Sequence, residues 1–147
     1  MILNHQLKDK IEVIKHYGDL PLIECYPAQL NQVFMNILQN AIDALQVESS
    51  QPNKQIVIKT ETVSPHQIQV QIQDNGIGMS SKIKNKIFDP FFTTKEVGKG
   101  TGLGLAICYQ IIEKHQGQMK VISQSGHGTE FAIALPIKQP PRCPSSP

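Results

Sequence analysis

From Pro27 to about Leu45 apolar residues return at steps of three and four, so that Leu30, Val33, Phe34, Ile37, Leu38, Ala41 and Leu45 share one face of a helix. A second helical period runs from Leu103 to Gln116. It stops at Gly117, a residue suited to the left-handed conformation that follows a helix end. Elsewhere the period is two. In IQVQIQ, Ile68, Val70 and Ile72 point one way and three glutamines the other, which predicts a strand with one face on a core and one in water. IVIKTETV precedes it across a short SPH turn, and Met119–Ser123 and Thr129–Leu135 form two last strands hinged by SGHG. Near the start, IEVIKHYG alternates, GDLP turns and IEC returns, a pattern that predicts a hairpin. Between residues 80 and 101 no single period holds, and a long mobile loop is expected. The fold expected is an α/β (α+β) two-layer sandwich, with a mixed, mostly antiparallel sheet of about five strands covered on one face by about three helices. The expected core holds Leu30, Val33, Phe34, Ile37, Leu38, Ala41, Val70, Ile72, Leu105, Ile111, Val121, Phe131 and Ile133.

Composition narrows the class. The chain has 147 residues, 39% hydrophobic and 18% charged, which suits one domain with one core. Its formal charge of +2 is too small to argue for a nucleic-acid surface. Cys25, Cys108 and Cys143 are odd in number and widely spaced, so neither a disulfide framework nor a zinc cluster is suggested, and a reducing, cytoplasmic setting is expected. Apolar runs are short and no basic-then-apolar leader opens the chain, so no direct membrane contact is expected. The expected division is a helical remnant over 1–10, a domain over 11–137 and a Pro-rich disordered tail over 138–147; five of the ten prolines fall in residues 136–147.

Three stretches carry chemistry. On the first helix Asn36, Asn40 and Asp43 lie within roughly 60° of one another, away from the apolar face. A polar stripe is ordinarily a solvated face. Asn, however, is a poor interior helix residue, and an amide oxygen is a ligand that a phosphate-bound Mg²⁺ accepts. Asp74-Asn75-Gly76-Ile77-Gly78 follows the alternating strand and reads alone as a turn. It can also offer a carboxylate to an amino group while bare glycines let a flat ring approach. Adenine has that amino group; guanine would set a carbonyl oxygen against the carboxylate. Gly98 to Gly104 alternates glycines into a helix start, with Lys95 and Lys99 nearby, and is either a linker or an anion site for polyphosphate. It matches neither the P-loop nor the dinucleotide fingerprint. Gly126, Gly128 and Thr129 read alone as a simple hairpin.

The order of these stretches is more specific than any one of them. The asparagine helix, DNGIGM, FDPFFTTK, GKGTGLG and GHGT, from roughly Pro27 to Pro136, resemble the ATP-binding catalytic domains of bacterial sensor histidine kinases. Their wider family includes type II topoisomerases, Hsp90 and MutL. The resemblance implies a Bergerat-type ATP-binding fold. It makes Asn40 the Mg²⁺ ligand, Asn36 a support of the metal and phosphate site, and Asp43 a flanking group nearer the nucleotide. It gives Asp74 the adenine amino group, and makes Gly76 and Gly78 the shapers of that pocket. Phe91 and Phe92 would anchor a lid or dock a partner, and Lys95 would reach the phosphates. Gly100, Thr101, Gly102, Leu103 and Gly104 would line the phosphates, and Thr129 would stand behind the base. Topoisomerase-type members carry a Glu in this part of the helix, whereas the Asn36 amide cannot take a proton at neutral pH, which disfavours rapid hydrolysis.

The implied function is transfer of the γ-phosphoryl group of Mg-ATP to a histidine. That histidine would lie on a separate dimerisation segment, in cis or in trans, with a response regulator served indirectly. His5, His16, His66, His115 and His127 lack the flanking acidic residue and Pro of a phosphoacceptor. An ATP-gated switch or slow ATPase, a non-catalytic adenine-nucleotide module and a serine-kinase variant are the alternatives.

Overall fold

The computed structural model describes residues 11–46, 53–87 and 104–139. Strand β1 (Glu12–Tyr17) leads through a loop to helix α1 (Pro27–Gln46). Strands β2 (Gln55–Ser64) and β3 (Gln67–Asp74) follow, then a short helix α2 (Ser81–Lys84), helix α3 (Gly104–Lys114), and strands β4 (Gln118–Gln124) and β5 (Gly128–Pro136). The sheet runs β1-β2-β3-β5-β4, with β1 parallel to β2 and every other pair antiparallel.

Register sets one face of this sheet against the helices. Ile58 faces Ile72, Ile72 faces Phe131 and Val70 faces Ile133, so each strand lends alternate side chains to one layer. Val33, Ile37, Ile42 and Leu45 of α1 and Cys108 and Ile112 of α3 close that layer from above, all but excluded from water. Nine of the thirteen expected core residues are buried; Phe34, Leu38, Leu105 and Val121 are half-buried against them. Full burial of such side chains contributes about 1.5–3 kcal/mol each.

Three expectations are corrected. The hairpin after β1 does not form, because residues 23–25 are not a strand and β1 pairs with β2, Val13 opposite Ile56. The chain instead leaves β1, crosses in α1 and returns parallel beside β1, as neighbouring parallel strands require. Gly18, read as a turn residue, is needed because a side chain there would stand 2.7 Å from the Thr60 carbonyl. The residue that takes positive φ after α3 is Gln116 (φ 60), not Gly117. Gln116 N–H donates to Glu113 O at 2.8 Å and Gly117 N–H to Ile112 O at 2.9 Å, a Schellman ending. Gly117 is required for space, since a Cβ would collide with the Ala134 carbonyl. Finally, part of the expected long loop is helical: the Ser80 hydroxyl caps α2 by accepting Ile83 N–H, and Ile87 is buried.

Gln139 ends the described chain in a strap. Its backbone N–H meets Glu24 Oε1 at 2.8 Å and its side chain donates to His115 O at 2.9 Å. His115 is itself buried, accepting the Tyr26 N–H at Nε2 (3.0 Å) and donating from Nδ1 to Ile111 O (2.8 Å). It thereby clips the start of α1 to the end of α3.

Candidate nucleotide site

Asp74 closes β3 at the level where α1 ends. Alternation places it on the covered face, so a carboxylate stands where a core residue is expected, and only 5% of it is exposed. Its Oδ1 accepts Gly76 N–H at 2.9 Å, and the carboxylate also accepts the backbone N–H of its register partner Thr129. Burial outweighs these two bonds and raises its pKa from 3.8 to about 6. A buried carboxylate held by two donors still has lone pairs to offer, which makes it an acceptor for a ligand N–H.

The glycines around Asp74 are dictated by close approach. A side chain at Gly76 would stand 2.9 Å from the Ala44 carbonyl of α1. Gly78 (φ 68) and Gly128 (φ 91) adopt conformations that disfavour other residues, and a Cβ on either would collide with backbone, the Gln124 carbonyl and the Asp74 carbonyl respectively. Gly126 N–H donates to Ile77 O at 2.7 Å and Met79 N–H to Ser123 Oγ at 2.8 Å. The DNGIGM turn and the β4–β5 turn are therefore interlocked, backbone against backbone. Asn75 faces away from this site, fastening the turn to β2 by accepting Gln55 N–H at 2.8 Å.

Along α1 the polar stripe runs from this turn toward the start of α3. Asp43 Oδ1 accepts from Gln39 Nε2 at 3.0 Å. One turn back, Asn40 is half-buried and its amide makes no hydrogen bond to a described residue. Asn36 donates to Gly104 O at 3.5 Å and Cys108 Sγ at 3.6 Å, tying α1 to the first turn of α3. From Ala44, against Gly76, back to Asn36, against Gly104, is about 12 Å of helix axis at 1.5 Å per residue. One end of the stripe thus abuts a buried carboxylate, and the other the amino terminus of a helix, whose free amides favour anions.

Residues 25–139 match the family described as histidine kinase-, DNA gyrase B- and HSP90-like ATPases. The chain belongs to that family. Sporulation kinase E of Bacillus subtilis is 42% identical over 121 residues, covering 82% of this chain and 15% of that protein. The signal transduction histidine-protein kinase AtoS of Escherichia coli is 45% identical over 108 residues, covering 74% of this chain and 17% of its own length. The chain therefore spans about one sixth of these relatives. The catalytic domain of histidine kinase ThkA superposes with a TM-score of 0.77 at 30% identity, covering 94% of this chain and 87% of that one. The fold is that of a histidine-kinase ATP-binding catalytic domain, as the family and this neighbour agree.

The structure brings Asp74, Gly76, Gly78 and Thr129 together at the junction of the two turns, and sets Asn36 against Gly104. Asn40 and Asp43 share the stripe between them. Lys95, Gly100, Thr101, Gly102, Leu103, Phe91 and Phe92 lie outside the described residues. Sequence reasoning passed over Ser123, whose hydroxyl lies 2.8 Å from Thr129 Oγ1 and 3.1 Å from Gly128 O. A signal was present: Met119, Val121 and Ser123 alternate onto the covered face of β4, and the last of them is polar. His115 is excluded as a phosphoacceptor, since both ring nitrogens are engaged inside the core. Among the described residues no cluster of three or more His, Cys, Asp or Glu could hold a metal. No helix there is long and apolar enough to cross a membrane.

Proposed function

We propose that this domain binds Mg-ATP and presents the γ-phosphoryl group to a histidine on a dimerisation segment of the same or another chain, a response regulator receiving it afterwards. The observation that carries the reading is the buried, donor-bound Asp74 carboxylate beside Thr129, at one end of a stripe that reaches the α3 amino terminus. A carboxylate there accepts the adenine 6-amino group, and a 6-oxo purine would leave two acceptors opposed, at roughly 1–3 kcal/mol. Gly76 and Gly78 admit the ring.

The phosphates then extend along the stripe toward Gly104. Lys95 and the run Gly100, Thr101, Gly102, Leu103 and Gly104 are assigned to them by family resemblance, with Asp43 nearer the base. The donor set fits Mg²⁺: a half-buried neutral amide at Asn40, free of protein partners among the described residues, supplies a hard oxygen to an ion otherwise held by phosphate and water. When bound, the ion offsets charge on the phosphate oxygens. Asn36 supports this end by holding α3 in place, and an amide there cannot act as a general base toward water. What the residues do is position a phosphoryl group and leave the nucleophile to a partner.

We assign the nucleotide-binding unit to residues 11–137; residues 1–10 and 140–147, on which the expectations of a helical segment and a Pro-rich tail fall, lie outside the described residues. A need for ATP, with Cys25 and Cys108 as free thiols, supports action in the cytoplasm. The test mixes this chain with γ-labelled ATP and a separately produced histidine-bearing dimerisation segment. Acid-labile label on that segment is expected. Steady phosphate release at the same rate without the segment would instead identify a slow ATPase.

A further inference from the structure

The Asn36 amide has two chemically different ends, and its surroundings decide which of them faces α3. Nδ2 lies 3.5 Å from Gly104 O and 3.6 Å from Cys108 Sγ. Both partners act as acceptors. Gly104 O is a carbonyl, and the Cys108 thiol commits its one proton to Val33 O at 3.8 Å, so the amide meets only sulfur lone pairs. Cys108 is fully buried, and that burial pushes its thiol above the ordinary range, which keeps the proton on sulfur. With the amide turned over, Oδ1 would oppose both acceptors. Space agrees with the chemistry: a Cβ at Gly104 would stand 3.8 Å from Asn36 Cγ and 3.8 Å from Nδ2, with Oδ1 farther off. No described residue donates to Oδ1. It is not a buried orphan either, since Gln29 Oε1 is the one such side-chain atom among the described residues. Oδ1 is therefore turned from α3 and open to solvent, one helical turn from the half-buried Asn40.

We propose that Cys108 is a positioning residue for the metal end of the site: with Gly104 O it holds the Asn36 amide nitrogen against α3 and keeps the amide oxygen on the stripe that carries Asn40. Fully buried, Cys108 touches neither nucleotide nor metal. It decides which atom of Asn36 a Mg²⁺ ion and its water ligands meet, and the atom it selects is a hard oxygen. The inference rests on the Mg-ATP reading, and deepens it by extending the metal end to a thiol inside the α1–α3 interface.

The experiment is calorimetric titration of the whole chain with ATP, in saturating Mg²⁺ and again in EDTA, reporting the factor by which Mg²⁺ strengthens binding. Cys108→Ala, checked for folding by its thermal transition, is expected to lower that factor about threefold, toward the low end of one neutral hydrogen bond, with binding in EDTA unchanged. Should that variant unfold, Cys108→Val fills the space without an acceptor and takes its place. Cys108→Ser, whose hydroxyl donates to Val33 O and accepts from Nδ2, should restore most of the factor. In an Asn36→Ala background, Cys108→Ala should change the factor no further, because its route of action is gone. The side-chain amide NMR signals of Asn36 should shift and exchange faster with water in Cys108→Ala, and return in Cys108→Ser. Equal weakening of ATP with and without Mg²⁺, or a wild-type factor in Cys108→Ala, makes Cys108 mere packing and overturns the proposal. Failure of the underlying reading looks different: Mg²⁺ then gives the wild type no gain in ATP affinity, and the proposal falls with it.

Discussion

Asp74 combines a cost to the fold with a gain at the site. Its pKa is raised to about 6 by burial, so between its ordinary 3.8 and that value the folded protein holds a proton the unfolded chain has lost. Stability of the ligand-free domain should fall as pH rises through this window, by roughly 2–3 kcal/mol in total, and then level off. Urea titrations from pH 4 to 8 would show the slope in the wild type and its absence in Asp74→Asn. The same variant should weaken ATP binding at least tenfold while remaining as stable as the wild type at pH 8. ATP affinity of the wild type should also decline below about pH 6, because the protonated carboxyl no longer offers a charged acceptor. Gln116 is a second residue under tension: it occupies φ 60 at the end of α3, where a side chain costs roughly 1 kcal/mol. Gln116→Gly relieves that but adds unfolded-state freedom. A net gain of about 0.5 kcal/mol is expected in a thermal melt.

At the scale of elements, the glycines separate by what surrounds them. Gly126 has φ 85 and nothing within 4 Å of its missing Cβ, whereas Gly128 has φ 91 and would drive a Cβ into the Asp74 carbonyl. Gly126→Ala should cost about 1 kcal/mol and leave ATP binding near normal. Gly128→Ala should destabilise by more than 2 kcal/mol and reduce ATP binding, since relief requires parting the two turns. Comparing denaturation midpoints and ATP titrations of the two variants checks both. Helices and central strands were legible because their periods reflect local geometry facing one core. The order of Asp74, its glycines and the asparagine stripe was legible for the same reason, as each lies beside a periodic element. The β1 partner was not, since a turn signal after Tyr17 looks alike whether the chain folds back or crosses over. Ser123 was missed because one polar residue at a core position means little until Met79 and Thr129 arrive beside it.

Across the whole molecule the site draws on four elements, so occupancy should be felt globally. ATP with Mg²⁺ at 100 times its dissociation constant should stabilise the domain by about 2.7 kcal/mol. Scanning calorimetry would detect it as a rise in Tm that vanishes in Asp74→Asn. In Asn40→Ala the rise should lose its dependence on Mg²⁺; a wild-type Mg²⁺ response in that variant would remove the metal role of Asn40. The sequence by itself determined which residues are apolar at helical or strand spacing, which turns lack side chains, and which polar groups stand where apolar ones would serve better, because such patterns are written at short range along the chain. Only the tertiary structure decided that β1 lies parallel to β2, that Gly117 serves space while Gln116 bears the turn, that His115 is locked in the core, and that two distant turns share one hydroxyl. Those outcomes depend on contacts between segments far apart in sequence, where van der Waals exclusion and hydrogen-bond counting act on whatever packing brings together.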